Sequence, residues 1–392
     1  MKIKRILVVL SSVLLVACLL GSIGIGCAPA GPKVIKIAEI VAQSGPAAGW
    51  GILNAACDDM AVEDVNAAGG IVIDGDTYTL ELIRYDHQYD PGITATLARK
   101  AIFDDGVKAI LCWDRPMIDA FYEFAAEEKV TIIGMTSTGE LGANYPWLFN
   151  SFYTRADNME VLMEYAGQAH PGARIAGAYY DDEEAYETNM FREQFAAQEG
   201  LVDAGVTYYS TDITDFYPVL AGILDSDPDI IDPSGIVAEH LGLLAKQARE
   251  NGYEGIFVYA GTPGLPEATE IAGWDAFEGY LGAGEFIEFP TEWGRDFFAR
   301  YQARTDGNTD TWPGYWYDAI WLLKHAFEEA DSLDMEKVNE AMGRVSYEGI
   351  KGISSYSDVN GLPRRMVEKV PIVEVRGGQL IEVFFDFPKS VR

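Results

Sequence analysis

The chain has 392 residues, more than a single hydrophobic core usually organises, so at least two lobes are expected. An apolar content of 48% excludes a largely disordered chain. A net charge of −32, from 61 acids against 29 bases, repels nucleic acid and anionic lipid headgroups, which counts against both as partners.

At the N-terminus Lys2, Lys4 and Arg5 precede an uncharged apolar run, Ile6 to Ile25. Residues 1–27 therefore read as an export signal and not as part of the fold. The run is about long enough to span a bilayer, but it ends in "GIGCAPAGPK", a small residue before Cys27 and then a Pro/Gly-rich tether over 28–33. This resembles a bacterial lipoprotein signal, with Cys27 as the expected lipidated residue. "LVAC" at Leu15–Cys18 is a second match, though cleavage there leaves the apolar "LLGSIGIG" as tether. The predicted location is extracytoplasmic, held to the cell membrane only through a lipid anchor. Beyond the signal only Cys57 and Cys112 remain. They either pair or serve as two small buried apolar side chains.

From residue 34 short apolar strands alternate with helices. A β-branched strand spans 34–42, and the following helical stretch stops at Gly69-Gly70. Residues 77–85 alternate with period two; the next helix has Pro91 near its start and Gly106 at its stop. Strand 107–113, helix 116–128 and strand 130–135 follow. A second set comes after the extended 147–155: helix 158–169, strand 174–180, helix 183–204, strand 206–210, helix 216–224, strand 229–232, helix 236–251 and strand 255–260. A long helical region, 292–342, and a β-rich terminus complete the chain. Such alternation indicates βαβ units on parallel sheets. The predicted first lobe combines 34–150 with 284–350, and the second combines 151–283 with 351–392.

No residue is nominated as catalytic. The four histidines, His87, His170, His240 and His325, have no Cys, Asp or Glu around them at metal-ligand spacing, and neither a metal nor a cofactor is expected. There is no GxSxG elbow and no GxxxxGK[ST] loop. The acidic run "DDEEAYE", 181–187, reads as a solvated loop. An exported α/β protein without a catalytic constellation is predicted to bind and not to transform.

Several stretches then occur in a telling order: "IKIAEIVAQSGPAAGWG", "DVNAAGGI", "YDHQYDP", "DGVKAIL", "AKQARENGY", "TEIAGWDAFEGYL" and "YWYDAIWLLKHAF". From about Lys33 onward they resemble the leucine/isoleucine/valine-binding type of periplasmic binding protein, the solute receptors of ABC importers. The resemblance implies a type I periplasmic-binding-protein fold. That fold is α/β, with two Rossmann-like lobes of parallel sheet joined by three crossing hinge strands, and it closes on a ligand at the carboxyl ends of the strands. It also implies the importer's membrane subunits as partners.

Carried over residue by residue, the resemblance puts Trp50 against the ligand side chain. It puts Ser137, beside Thr136 and Thr138, on the ligand carboxylate, and Tyr186 in the first loop of the second lobe. Each has a plainer local reading, Trp50 as a packing residue at a helix entry and the hydroxyls as helix caps. The second-lobe acid that holds a ligand ammonium aligns with His240, one residue after Glu239. Where the amino-acid receptors carry serines, this chain has Trp113-Asp114-Arg115-Pro116. Asp114 suits a helix cap, but Arg115 is a cation at the positive end of a helix, disfavoured by ~0.3–1 kcal/mol. A ligand carboxylate explains it through a charge-assisted fork; so does an ion pair with Asp114 or another surface acid. The expected function is an importer receptor for a small carboxylate such as a branched-chain or other apolar amino acid. The alternatives are an aromatic or other carboxylate lacking an α-amine, and a sensory receptor in place of a transporter component.

Overall fold

The computed structural model describes residues 33–391 except 46, 114, 136–144, 153, 285, 360–361 and 367. The expected signal, Cys18 and Cys27 fall outside them. Among the first 150 residues the strands are β1 (Lys33–Val41), β2 (Ile71–Ile73), β3 (Asp76–Asp86), β4 (Ala109–Trp113), β5 (Thr131–Met135) and β6 (Leu148–Asn150). The second set is β7 (Arg174–Tyr180), β8 (Val202–Tyr209), β9 (Ile230–Asp232), β10 (Ile256–Ala260) and β11 (Leu281–Ala283). Then come β12 (Ser346–Gly349), β13 (Gly352–Val359), β14 (Leu362–Met366), β15 (Val370–Arg376) and β16 (Gln379–Asp386). They form two sheets, β12-β13-β14-β6-β5-β4-β1-β3-β2 and β16-β15-β11-β10-β9-β7-β8.

The centre of each sheet is parallel. Its strands are covered on both faces, which explains their near-continuous apolar runs. Along β1, Ile35, Ile37 and Val41 join the core beneath the helices Ala48–Ala67 and Gly314–Ala330, while Ala38 and Ile40 join the core on the opposite face. Cys57 and Cys112 are buried free thiols in these two separate cores.

The chain passes between the sheets three times: from β6 to the helix Arg155–Ala169, from β11 to the helix Glu292–Arg304, and from β14 to β15. One expected boundary is corrected. Residues 351–392 do not all belong to the second lobe, because β14 pairs in parallel with β6 through Arg365 and Asn150. The returning chain extends the edge of the first sheet as far as Met366 before it crosses. Three helices also differ from expectation. The helix expected over 183–204 stops at Gln198, since Gly200 takes φ +76° and turns the chain into β8. The region 292–342 is three helices, broken at Gly307 (φ +88°) and at Asp331 (φ 45°). The helix expected over 116–128 is two short pieces, Arg115–Asp119 and Tyr122–Glu127.

Buried charges tie the lobes together at the crossings. Thr154 caps the helix Arg155–Ala169 in a capping box with Asp157. Arg365, on β14 of the first sheet, reaches across to both, donating to Thr154 Oγ1 at 3.1 Å and to Asp157 Oδ1 at 2.7 Å. Nearby Lys351 lies buried over the ring of Tyr315, and burial pulls its ammonium down to about 7 despite the carboxylates of Glu368 and Asp318.

Two expectations follow. Arg365→Ala leaves the Asp157 carboxylate buried without its partner and lowers stability by about 3 kcal/mol or more, read as a drop in the urea midpoint. For Lys351 the unfolded chain binds more protons between pH 7 and 10.5, so its contribution to stability rises with pH across that window. Melts of wild type against Lys351→Met show this as a difference that moves in favour of wild type from pH 7 to pH 10.

Candidate functional site

In the parallel part of each sheet the direction in which strands are added switches, between β1 and β4 in the first and between β7 and β9 in the second. The loops that leave the carboxyl ends of these strands diverge and open a crevice. On the first lobe the loop after β1 is pinned: the Asp86 carboxylate accepts from Gln43 N at 2.8 Å and from Ser44 Oγ at 2.6 Å. Gly51 lets the next helix lie against the strand end, where a Cβ would stand 1.9 Å from the Ala42 carbonyl oxygen. This close approach presents Trp50, in the first turn of the helix Ala48–Ala67, with 55% of its surface exposed.

Around Trp50 is a wall of aromatic rings. Trp113, the last residue of β4, meets it edge-on at 5.2 Å between centroids. Trp113 in turn stacks on Trp312 at 6.5 Å and leans on Tyr89 at 6.4 Å. Phe152, on the first crossing, packs edge-on to Tyr315 at 5.1 Å. Such pairs are worth about 0.5–1.5 kcal/mol each beyond the area they bury, which holds the rings against one another.

The second-lobe wall is organised by a buried carboxylate. Asp232, at the end of β9, accepts from Ser234 N at 2.9 Å and from the Tyr179 and Ser234 hydroxyls. Burial raises its pKa although these donors oppose the shift. Ser234 Oγ accepts from Ala260 N at 2.7 Å, which locks the loop after β9 to the tip of β10. Tyr259 donates to the Ile236 carbonyl oxygen at 2.8 Å. Gly235 (φ +95°) and Gly261 (φ +139°) stand at the two tips, conformations that favour glycine.

Between the walls is a cleft of about 280 Å³, lined by Trp50 of the first lobe, Phe152 of the crossing, and Arg155, Gly235, Tyr259, Ala260, Gly261 and Thr262 of the second. This is just below the ~300–1,000 Å³ of pockets for drug-sized ligands, a size for a small solute. Arg155 opens the helix Arg155–Ala169 and is ion-paired with Glu184, its side chain 11% exposed.

Residues 34–379 match the family described as periplasmic binding protein. The chain belongs to that family. It is 26% identical over 344 residues to the leucine-, isoleucine-, valine-, threonine- and alanine-binding protein of Pseudomonas aeruginosa, covering 84% of this chain and 87% of that one. Among solved structures it is similar to the closed form of the protein of that same description from Brucella ovis, with a TM-score of 0.78, 18% identity, and coverage of 91% and 96% of the two chains. It is also similar to an ABC-transporter solute-binding protein of Rhodopseudomonas palustris solved with 3,4-dihydroxybenzoic acid, with a TM-score of 0.73, 21% identity, and coverage of 91% and 98%. These relatives are binding proteins, one of them the solute-binding protein of an ABC transporter, and this periplasmic binding protein is a solute receptor, not an enzyme.

The residues expected from sequence are distributed unevenly around the cleft. Trp50 lines it, and Trp113 stands directly behind Trp50. Asp114, Thr136 and Ser137 lie outside the described residues. Among the described residues Arg115 is held on its own lobe: its Nε donates to Asp119 Oδ1 at 2.8 Å, its Nη2 to Tyr145 Oη at 2.7 Å, and the guanidinium lies 4.6 Å from the centroid of the Tyr145 ring. Partial burial works against its charge, but Asp119 and Tyr145 outweigh it and hold its pKa above the ordinary value. Among the described residues its acid partner is Asp119, a surface acid of the kind the ion-pair reading of Arg115 names. Tyr186 is half-exposed, donating to Asp181 with its ring edge-on to Tyr208 at 5.0 Å. Glu239 is exposed in the first turn of the helix Ala238–Glu250, where a negative charge suits the helix dipole, and His240 Nδ1 stands 2.7 Å from Tyr180 Oη.

The sequence reading missed Phe152, Arg155 and the tips of β9 and β10. A signal for one of them was present in "TRAD", Thr154 to Asp157: a capping box with a cation as its first helical residue is the same conflict with the helix dipole that drew attention to Arg115.

Arg115→Ala is expected to cost about 1 kcal/mol of stability or less, since Asp119 is largely exposed, and to leave solute affinity within twofold. Calorimetric titration beside a thermal melt checks both.

Proposed function

We propose that this protein is the extracytoplasmic receptor of an ABC importer, capturing a small organic carboxylate with an apolar body between its two lobes. The observation that carries this reading is the cleft itself, where an aromatic wall on the first lobe faces the only cation among its described lining residues, Arg155, on the second. The apolar body of the solute packs on Trp50 and Phe152, and its carboxylate faces the second lobe. Closure about the three crossings removes both from water, and the closed form is what the importer's membrane subunits meet. Lipidation at Cys27 would keep the receptor beside them.

The ligands of the relatives bracket the solute class. The Pseudomonas aeruginosa relative binds leucine, isoleucine, valine, threonine and alanine, and the Rhodopseudomonas palustris structure holds 3,4-dihydroxybenzoic acid. Both kinds are small carboxylates.

The test is a thermal-shift panel on the soluble chain, with each amino acid paired with its des-amino acid. A solute at a hundred times its dissociation constant stabilises by ~2.7 kcal/mol, a shift of several degrees. The expected result is a shift with some carboxylates and none with their amides; a panel with no carboxylate hit removes the reading. Trp50→Ala is expected to weaken the best hit at least tenfold, in line with the ~1.5–3 kcal/mol of a fully buried apolar side chain, with the melting temperature of the free protein nearly unchanged.

A further inference from the structure

Arg155 is held in a way its structural role does not require. It is the first residue of its helix, at the positive end of the dipole, where an acid or a neutral residue is favoured. The helix end is already satisfied by the Thr154–Asp157 capping box, and the hinge carboxylate Asp157 is already paired with Arg365. The guanidinium instead extends along the second-lobe wall. Its Nη1 comes so close to Gly235 that a Cβ there would stand 2.9 Å away. It lines both the main cleft and a smaller recess shared with Tyr180, Asp182, Glu184 and Ser234. Its ion-pair partner, Glu184, is 51% exposed and belongs to the first turn of the helix Glu183–Gln198. Asp182, the other acid of the recess, accepts from Ala185 N as the cap of that helix.

We infer that Arg155 is the carboxylate anchor of the cleft, exchanged between Glu184 in the free receptor and the ligand carboxylate in the complex, and that the site therefore selects acids without an α-amine. This deepens the proposed function and rests on it. A guanidinium offers a planar fork that fits a carboxylate in the bidentate manner, and an exposed glutamate is a weak competitor for it once the lobes exclude water. Exchange returns Glu184 to solvent at little cost, since half of its side chain is already there. An α-ammonium is disfavoured by the same charge: placed on the carbon next to the carboxylate, it comes within a few ångströms of the guanidinium. The acids nearest Arg155, Asp182 and Glu184, line the smaller recess and not the cleft, where the described second-lobe tip offers Gly261 and Thr262. The anchor also resolves a conflict of charge, because a chain of net −32 repels an anionic solute unless a cation stands at the site.

The experiment is calorimetric titration of wild type, Arg155→Met, Arg155→Lys and Glu184→Gln with three pairs of probes: leucine and 4-methylpentanoate, phenylalanine and 3-phenylpropanoate, benzoate and benzamide. Melts run beside each variant. The expected result is that des-amino acids bind wild type at least tenfold tighter than their amino acids, and that benzoate is preferred to benzamide. Arg155→Met loses at least tenfold, Arg155→Lys loses less, and Glu184→Gln gains threefold or more because the competitor is gone. A purely structural ion pair moves the other way, with Glu184→Gln weakening binding in step with Arg155→Met, and that overturns the inference. Leucine binding that survives Arg155→Met also overturns it while leaving the carboxylate receptor standing. Failure of every carboxylate on wild type overturns both. If Arg155→Met does not fold, Arg155→Lys and Glu184→Gln still give opposite signs under exchange and equal signs under a structural role.

Discussion

The three passages of the chain between the two sheets are the constraint from which the rest follows. Two lobes joined by one strand would orient freely; three crossings restrict that freedom and set the mouths of both sheets about one cleft. What the crossings hold has to be stiff. The Arg365 guanidinium, buried between Thr154 and Asp157, links the last strand of the first sheet to the first helix of the second lobe at the point where the chain passes over. Broken pairs of this kind leave a charge with neither water nor partner, so the contact resists separation more than its own strength indicates.

Stiffness on either side of the cleft is obtained by different means. On the first lobe it is steric, with Gly51 bringing a helix against a strand end and rings packing on rings. On the second it is polar, with Asp232 and Ser234 joining two strand tips through buried hydrogen bonds. The consequence is a cleft whose described lining is apolar on the first lobe and carries Arg155 and Thr262 on the second, a division suited to a solute with an apolar body and a charged end. Arg155 is the element that gives the polar side its sign.

Much of this architecture was legible in the residues. Strands buried on both faces leave continuous apolar runs, and β7, which spans 174–180, was readable to the residue. Trp50 was reached through the family resemblance of "SGPAAGWG", and it lines the cleft. The lobe assignment of 352–366 was not, because a β-rich terminus has the same pattern whichever sheet edge it joins, and only the pairing of Arg365 with Asn150 decides it. Arg115 and Arg155 present the same local conflict with a helix dipole, and sequence alone does not rank them. The difference is tertiary: Tyr145 and Asp119 fold back on Arg115, whereas Arg155 meets Gly235 and the open cleft.

The central claim is that the lobes close on a carboxylate held by Arg155. A structure of the receptor with 4-methylpentanoate or benzoate tests it most directly. The account predicts both carboxylate oxygens at hydrogen-bond distance from the Arg155 guanidinium, the apolar body against Trp50, and Glu184 turned to solvent. A carboxylate bound elsewhere in the cleft, with the Arg155–Glu184 pair intact, contradicts it.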